Sequence, residues 1–371
     1  MSDSRALTQE GQRALYAGDA VAARERFTEA LRLHPRFAAA LAGLADCHAL
    51  AGAHQAALPL YEEALTHDPD DPWIRNNFAL SLTAVGRIRE AWVQAEARFQ
   101  LQDKTRNFWS RPPRPRWDGG ELPGRLVVLW EQGFGDMLQH LRFLPLAARR
   151  TGGIAFVCPA PLTQLVTVSF PFVELLPAGR PVRWAAFDAC IALLSLPLVL
   201  GVGWENLPSE PYLSISGRPV NKSLPRSVGV VWRSSAFDPA RNCPLAALLP
   251  LKDSGFRLAS LQLDPSVEEA ALLRTHGIES LAGADFHATA QGVAQVDVVL
   301  SVDTAPVHLA GAMGCPTLLL LNEPAAVRWM QERADTPWYP SMRLLRKRAA
   351  ESWDVLVARA MTELRGLGLA T

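Results

Sequence analysis

The sequence lacks an excess of charge of either sign. Lysine plus arginine and aspartate plus glutamate number 37 each, so the formal net charge is +0. A balanced chain of this kind has no overall field that would favour nucleic acid or an anionic membrane. Long apolar runs are missing as well: the best candidate, residues 189–202, falls short of the ~18 residues of a membrane span and contains Pro197. The first residues, MSDSRALTQEGQR, lack the apolar core of a signal peptide, so we expect no secretory leader.

Cysteine is scarce and scattered. The five cysteines form no CxxC pair and no metal-ligand spacing; they are Cys47, Cys158, Cys190, Cys243 and Cys315. Widely spaced cysteines without such a pattern are typical of reduced thiols inside a cell. We therefore expect free core thiols, no metal site and a cytoplasmic chain.

The first hundred residues contain a 34-residue repeat. Five sets of residues recur at that spacing: Gly18, Gly52 and Gly86; Ala23, Ala57 and Ala91; Phe27 and Tyr61; Ala30 and Ala64; Pro35 and Pro69. A period of this length with small residues at fixed offsets is the signature of the tetratricopeptide helix-turn-helix. Residues 1–100 are therefore predicted to form about three such repeats.

Each recurring residue type has a structural role in this prediction. The glycines lie in the turn between the two helices of a repeat, the alanines permit close packing, the aromatics fill the gap between neighbours, and the prolines end the second helix. The third repeat has Ala95 and Arg98 at two of these offsets, as expected of a terminal or docking repeat. Such an array usually binds a protein segment in its concave groove, and alternatively it braces the domain that follows.

The composition changes over residues 101–124. The stretch Arg111–Arg116 mixes arginine with proline, which lacks the amide donor that a helix needs. We interpret this segment as a semi-rigid linker laid over the next domain, with a local basic patch as the alternative.

Beyond the linker, short apolar runs alternate with helical segments. The predicted strands are 125–130, 154–158, 187–193, 228–232, 257–261, 296–301 and 317–321. This alternation predicts parallel sheets covered by helices on both faces. The pattern divides into two Rossmann-like halves, 125–222 and 223–371, with a cleft between them. Ligands bind such sheets at the carboxyl ends of the strands, so the loops there are the candidates for chemistry.

The first informative loop follows the strand 125–130 and reads Gly133-Phe134-Gly135-Asp136. Its glycines let the backbone approach a ligand, and a carboxylate follows at the helix start. From its position alone, Asp136 has two interpretations. It offsets the helix dipole as a cap or first-turn residue, or it is a general base that faces the cleft.

The second informative loop, residues 301–312, leads from the strand 296–301 into a helix of small residues. Exposed amides at such a helix start form an anion site that suits a diphosphate. We expect Ser301, the amide and hydroxyl of Thr304 and the amide of Ala305 to form this site. Asp303 would cap the helix, because its own charge repels phosphate. His308 lies one turn further on and is either a core histidine or a cleft residue.

Several stretches occur together and in order along nearly the whole chain: Trp130–Asp136, Leu141–Pro145, Ser195–Pro197, Pro211–Leu213, Val228–Trp232, Ser260–Gln262, Ser301–Gly311 and Pro337–Pro340. Jointly they resemble the bacterial heptosyltransferase-like glycosyltransferases, glycosyltransferase family 9. The closer match is to the branch in which tetratricopeptide repeats precede the transferase domain.

The resemblance implies a GT-B fold of two Rossmann-like lobes, with the acceptor bound by the first lobe and a nucleotide-sugar donor by the second. It assigns the catalytic base to Asp136, and it implies an inverting transfer that requires neither a metal nor another cofactor. Arg241 and Arg233 are the candidates for positive charge at the diphosphate, and a surface salt bridge is the alternative for either. The further cleft candidates are Gly133, Gly135, Gln139, Gln262, His308 and Arg328.

Three departures from the family pattern bear on donor binding, and one is that the loop 322–327 lacks the more aromatic pattern of the family. Where the family has a D-T-A stretch, this chain has His287-Ala288-Thr289-Ala290, and Asn242 replaces the serine of an R-S-x-P-L stretch. Three functions therefore stay open. The first is sugar transfer to a protein that the repeats recruit, or else to a lipopolysaccharide-type acceptor. The second is a non-catalytic repeat scaffold with a degenerate transferase domain, and the third is a nucleotide-sugar epimerase, for which the carboxylate and histidine set is not apparent.

Overall fold

The computed structural model describes residues 2–101, 108–215, 227–234, 239–348 and 350–369. The chain forms two compact units. Unit 1 comprises residues 1–112 and 324–332, and unit 2 comprises residues 113–323 and 333–371. The predicted boundary between residues 222 and 223 lies outside the described residues.

Unit 1 contains the helical repeats. Its helices are α1 (Ser2–Tyr16), α2 (Ala20–Leu33), α3 (Ala38–Leu50), α4 (His54–His67), α5 (Pro72–Ala84), α6 (Ile88–Ala95) and α7 (Arg98–Leu101). Gly18, Gly52 and Gly86 lie between the helices of three successive pairs with φ of +81°, +78° and +84°. Glycine adopts this left-handed conformation without a steric penalty. The predicted helix-turn-helix repeats are therefore confirmed.

Phe27 shows why the repeats need small residues. Its ring is fully buried, and a Cβ added at Gly11 or at Gly43 would lie only 2.7 or 2.3 Å from it. Ala23 and Ala30 on the same helix are also fully buried. Burying a phenylalanine contributes about 1.5–3 kcal/mol, and the glycines of α1 and α3 make that burial sterically possible.

Tyr61 occupies the equivalent place in the second repeat and adds a polar contact. Its hydroxyl donates to Asp46 Oδ1 at 2.5 Å, and Asn77 Nδ2 donates to the same oxygen at 3.0 Å. Burial raises the pKa of the Asp46 carboxyl, although both hydrogen bonds oppose that effect. One carboxylate thus connects side chains from α3, α4 and α5.

The segment 324–332 belongs to unit 1, although the sequence placed it in the C-terminal lobe. Gln331 donates its backbone amide to the Ala84 carbonyl at 3.2 Å, and its side chain donates to the Gly52 carbonyl. Trp329 in the same segment is fully buried. Unit 1 is therefore built from two stretches that lie far apart in the sequence.

Unit 2 contains two sheets. Its strands are β1 (Leu122–Leu129), β2 (Thr151–Cys158), β3 (Val173–Pro177), β4 (Ala189–Ala192), β5 (Ser227–Val231), β6 (Arg257–Ser260), β7 (Glu279–Ser280), β8 (Val298–Val302), β9 (Thr317–Leu321) and β10 (Met342–Arg346). The orders are β3-β2-β1-β4 and β10-β9-β8-β5-β6-β7. Each of these strand pairs is parallel. The two predicted parallel α/β halves are confirmed.

Helices follow most of these strands. They are α8 (Phe134–His140), α9 (Leu144–Ala148), α10 (Thr163–Ser169), α11 (Leu196–Val199), α12 (Leu245–Leu248), α13 (Pro250–Asp253), α14 (Val267–Thr275), α15 (Phe286–Val293), α16 (Ala305–Ala312) and α17 (Trp353–Leu364). In the second sheet, every residue of the inner strands β5, β8 and β9 is buried. Burial on both faces is expected of parallel strands between helix layers.

The predicted linker 101–124 is in part a piece of the first sheet. β1 begins at Leu122, and Arg116 forms a parallel bridge with Cys190 at the outer edge of β4. Trp117 is only 4% exposed, and its amide donates to the Cys190 carbonyl at 3.0 Å. Because an edge position uses only alternate amides, a proline-rich segment can occupy it.

The structure also bears on membrane-spanning helices and on the cysteines. No helix in residues 2–101, 108–215, 227–234, 239–348 and 350–369 is long and apolar enough to cross a membrane. All five cysteines are free thiols, and four of them are buried.

Candidate functional site

Asp136 lies in the first turn of α8. The helix follows β1 and begins after Gly133, which occupies the N-cap position without a side-chain bond. The preceding Gln132 has a φ of +63°, a conformation that only a few per cent of non-glycine residues adopt. Glu131 accepts the Leu194 amide at 3.1 Å and so fastens the loop to the end of β4. The carboxylate of Asp136 therefore stands, partly exposed, at a helix start whose amides favour negative charge.

A second helix start faces the same region. Thr304 occupies the N-cap position of α16 at the end of β8, and its side chain makes no cap bond. Pro306 in the first turn has no amide N–H, and the Val307 amide donates to the Thr304 carbonyl at 3.1 Å. The amides of Thr304 and Ala305 and the hydroxyl of Thr304 are the donors that this helix start offers an anion.

The expected capping role of Asp303 is wrong. Its carboxylate precedes the N-cap and pairs instead with Arg241, whose Nη1 lies 3.4 Å from Oδ2. His308 Nε2 lies 3.8 Å from the other oxygen, Oδ1. A carboxylate that is only 6% exposed needs such partners, because an unpaired buried charge is costly. Asp303 therefore does not cap α16 and instead holds Arg241 beside the start of that helix.

His308 lies where α8 and α16 cross. It is 2% exposed, and its Nδ1 lies 3.0 Å from the Tyr339 hydroxyl. A Cβ added at Gly135 would lie 2.9 Å from His308 Cδ2. The two alternatives for His308 were a core histidine and a cleft residue, and its burial agrees with the core histidine. The crossing nevertheless brings the helix of Asp136 against the helix that starts at Thr304.

Arg241 ends a short helical turn, Pro239–Arg241, after β5. One third of its side chain is exposed, and Asp303 holds its guanidinium. Asn242, the residue that replaces the family serine, accepts the Ser234 amide at 2.9 Å through Oδ1. This bond ties the turn of Arg241 back to the end of β5.

Arg233 and Gln262 form a separate cluster at the ends of β5 and β6. Gln262 Oε1 accepts the amides of Trp232 and Arg233 at 3.3 and 3.0 Å. Arg233 lies 3.4 Å from Glu269 and 3.7 Å from Asp264. In the described structure the side chain of Arg233 is thus occupied by acidic partners, as in the salt-bridge alternative.

The other candidates have diverse surroundings. Ser301 is fully buried in β8 and donates its hydroxyl to the Val302 carbonyl at 2.7 Å. Gln139 is 2% exposed on α8. Arg328 lies in the segment 324–332 of unit 1, whereas the other candidates lie in unit 2. Within the described residues, no group of three histidine, cysteine or acidic side chains is arranged to hold a metal ion.

The first sheet offers one more polar cluster. Arg116 donates to Ser195 Oγ at 3.0 Å, and burial lowers the pKa of its guanidinium while the charge of Glu131 raises it. Trp130, next to Glu131, is 44% exposed. These residues lie at the carboxyl ends of β1 and β4, where the resemblance expects the acceptor.

Sequence reasoning gave no role to two buried residues beside these helices, Arg142 and Tyr339. Arg142 is 2% exposed, and its guanidinium lies 4.8 Å from the centre of the Tyr339 ring. Both belong to stretches that carried the resemblance. A charged residue inside the otherwise apolar Leu141–Leu144 was the available signal, because arginine is almost never fully buried unless it is paired.

Known proteins similar to this chain agree with both parts of the architecture. A family model described as tetratricopeptide repeat matches residues 8–72. Protein FlbA of Caulobacter vibrioides is 29% identical over an alignment of 391 positions, gaps included, that covers 94% of this chain. The chain spans 65% of the length of that relative.

Two solved structures are similar to the α/β part. A family 9 glycosyltransferase from Veillonella parvula has a TM-score of 0.52 at 11% identity, covering 68% of this chain and 99% of that one. The ADP-heptose LPS heptosyltransferase II of E. coli has a TM-score of 0.48 at 16% identity, covering 66% of this chain and 98% of that one. The first similarity shows that this chain shares the fold of a family 9 glycosyltransferase.

Proposed function

We propose that this chain is an inverting glycosyltransferase that moves a sugar from a nucleotide-activated donor to an acceptor hydroxyl. The observation that carries the proposal is the crossing of α8 and α16 at Gly135 and His308. It brings a partly exposed first-turn carboxylate, Asp136, close to a helix start that offers amides and a held arginine. Such a pair of features supplies a base for the acceptor and a site for the leaving group.

The proposed reaction has one covalent step. The acceptor oxygen attacks the anomeric carbon of the sugar, and the bond from that carbon to the diphosphate oxygen breaks. The proton of the acceptor hydroxyl passes to the Asp136 carboxylate, and the diphosphate leaves with the electron pair. Attack from the face opposite the leaving group inverts the configuration at the anomeric carbon.

The leaving diphosphate needs positive potential, since negative charge develops on it in the transition state. Arg241 supplies a cation, and the start of α16 supplies the amides of Thr304 and Ala305 together with a partial positive charge. These groups support a reaction in which protein donors do the work of a metal. Metal independence is part of the proposal.

The repeats support a protein acceptor, because tetratricopeptide arrays bind extended protein segments. On α5, Trp73 and Leu80 are 61% and 46% exposed and lie seven residues apart, on one face of the helix. Exposed apolar side chains of this kind suit peptide contact. A lipopolysaccharide-type acceptor is the second choice.

The decisive test is binding of nucleotides to the full chain. A panel of nucleoside diphosphates and monophosphates is compared by thermal shift on the wild type, Arg241→Ala and Arg343→Ala. Arg343 is an exposed β10 residue paired with Glu363, and it serves as the matched control. A ligand at about 100 times its dissociation constant adds about 2.7 kcal/mol of stability.

We expect one nucleoside diphosphate to stabilise the wild type and Arg343→Ala alike. Arg241→Ala should bind it about 10- to 100-fold more weakly, because a hydrogen bond to a charged group is lost. A wild type that no nucleotide stabilises would contradict the proposal.

In that case the second candidate, a non-catalytic repeat scaffold, becomes the better explanation. One observation favours it. Where the family pattern has an acidic residue, Ala288 stands, and the nearby Asp285 is used structurally: it caps α15 by accepting the Ala288 amide at 2.8 Å.

A further inference from the structure

Arg142 is a buried cation just after α8. Its side chain is 2% exposed, and its donors reach four partners: the carbonyls of Gln139 (2.8 Å), Pro208 (2.9 Å) and Trp338 (2.8 Å) and the Tyr212 hydroxyl (3.2 Å). A guanidinium has five N–H donors in a rigid fork. With this many partners, its position is fixed in several directions at once.

Aromatic rings surround the same guanidinium. Its carbon lies 4.7 Å from the ring centre of Tyr212, 5.4 Å from that of Trp338 and 4.8 Å from that of Tyr339. A desolvated cation over such ring faces is stabilised by their quadrupoles. Arg142 thus joins the end of α8 to the Trp338–Tyr339 stretch of the second lobe.

Arg142 and its aromatic neighbours also fix the orientation of α8. Arg142 holds the Gln139 carbonyl, and the Tyr212 hydroxyl donates to the Leu138 carbonyl at 2.8 Å. These carbonyls lie two and three residues after Asp136. Because a helix rotates as a rigid element, a fixed final turn also fixes the direction in which the Cα–Cβ bond of Asp136 leaves the first turn.

Tyr339 extends these contacts to α16. The Tyr339 hydroxyl lies 3.0 Å from His308 Nδ1, and a Cβ at Gly311 would lie 2.5 Å from the Tyr339 ring. When the tyrosine hydroxyl donates, His308 carries its proton on Nε2, which faces Asp303. Burial raises the pKa of the Tyr339 hydroxyl well above its ordinary value, so it keeps its proton.

We propose that Arg142 and Tyr339 are positioning residues that couple the anion site at the start of α16 to the orientation of α8. This inference rests on the proposed function. The contacts run from Arg241 through Asp303, His308, Tyr339 and Arg142 to the end of α8. A diphosphate that engages Arg241 alters the balance of charge at Asp303, and the rest of the chain of contacts transmits this change to the base.

Hydrogen exchange on the full chain measures this coupling without requiring turnover. Exchange of the amides in 134–140 and 305–312 is followed with and without the nucleoside diphosphate selected by the thermal-shift panel. In the wild type we expect the ligand to slow exchange in both segments. In Tyr339→Phe the ligand should still protect 305–312, while its effect on 134–140 falls about fivefold or more. Tyr16→Phe, which removes an 88% exposed tyrosine hydroxyl, is the control.

Arg142→Lys provides a second variant, because lysine keeps the charge but lacks the planar fork. In Arg142→Lys, as in Tyr339→Phe, the ligand should no longer slow amide exchange in 134–140. In the control variant Arg149→Lys, which changes an exposed residue, the ligand should still slow it. For both positioning variants we expect kcat, calculated per molecule that still binds the nucleoside diphosphate, to fall while the KM for the donor changes little; this normalisation removes any loss caused by general unfolding.

Each other result overturns the inference. If the ligand binds the wild type and protects 305–312 but leaves 134–140 unchanged, no coupling exists, whatever the variants do. Equal protection of 134–140 in the wild type, Tyr339→Phe and Arg142→Lys would exclude these two residues as its carriers. If the wild type binds no nucleotide at all, the proposed function itself fails, and the inference falls with it.

Discussion

Two aspartates show at the scale of single residues how surroundings separate the roles of identical groups. Asp303 is 6% exposed and lies between Arg241 and His308, so its charge is committed to holding a cation. Asp136 is partly exposed at a helix start, and in the proposed function it accepts the proton of the acceptor hydroxyl. Only the second environment suits a general base.

Asp136→Asn tests this division directly. The amide keeps the shape of the side chain but cannot accept the acceptor's proton, so kcat should fall about 10²- to 10⁴-fold. The dissociation constant of the nucleoside diphosphate, measured by calorimetry, should stay near the wild-type value. Asp3→Asn, which changes a first-turn aspartate of α1, is the matched control for the helix dipole. An Asp136→Asn enzyme with wild-type kcat would remove the residue from the mechanism.

At the scale of elements, the crossing of α8 and α16 depends on the missing side chain of Gly135. Gly135→Ala would place a methyl group 2.9 Å from His308 Cδ2, so the His308 ring or one of the two helices must shift. Overpacking of this kind costs about 1–3 kcal/mol, and the shift should also lower kcat. Urea denaturation of the variant gives the change in the free energy of unfolding.

Gly366→Ala is the comparison for that experiment, because a Cβ there meets nothing within 4 Å. If both variants have the stability and kcat of the wild type, the two helices do not meet as closely as described.

The junction of α3, α4 and α5 predicts a dependence on pH. Burial raises the folded-state pKa of Asp46 above its ordinary value of 3.8. As pH rises from that value, the unfolded chain loses the proton first, so the folded state binds more protons and the free energy of unfolding falls. The loss continues until pH passes the raised folded pKa.

Asp46→Asn should remove this dependence while keeping an oxygen that accepts from Tyr61. Unfolding of the wild type and the variant is compared at pH 4 and pH 7 by far-ultraviolet circular dichroism. We expect the variant to gain stability relative to the wild type as pH rises. Asp70→Asn, at an exposed position of the same unit, controls for the change in net charge. A constant difference between the variant and the wild type at both pH values would disprove the assigned cause.

Three strands were not predicted from the sequence, and their positions show which strands the apolar pattern can reveal. β3, β7 and β10 are all edge strands. β10 carries Arg343 and Arg346, β3 ends in Pro177, and both residues of β7 are exposed. Apolar runs reveal strands that are buried on both faces, and such edges lack that signal. The central strands, the repeats and the fold were therefore predictable.

The candidate site was predictable only in part. The two helix starts followed from strand, loop and helix order, but the partner of Asp303 depends on a side chain 62 positions away. The apolar neighbours of Arg142 indicate a buried cation, but nothing in the sequence identifies Tyr339, 197 positions away, as its partner. Tertiary pairing of this kind has no local signal in one sequence, because it depends on how elements pack.

At the scale of the whole molecule, the proposed mechanism predicts insensitivity to chelation. With Arg241 and the start of α16 as the counter-charge, transfer rates in EDTA should equal those in added Mg²⁺ or Mn²⁺. Initial rates with the donor identified by the binding panel provide the measurement. A loss of activity in EDTA that either ion restores would show that a metal takes part.

The segment 324–332 has a consequence for synthesis on the ribosome. The helical repeats emerge before this segment. Their hydrogen bonds at the Ala84 and Gly52 carbonyls form only with Gln331, which follows residue 112 by about 220 positions. At roughly 5–20 residues per second, translation needs about 10–40 s to cover that distance. During this interval the nascent repeats expose a surface that the finished protein covers with its own chain, and chaperones can reach it there.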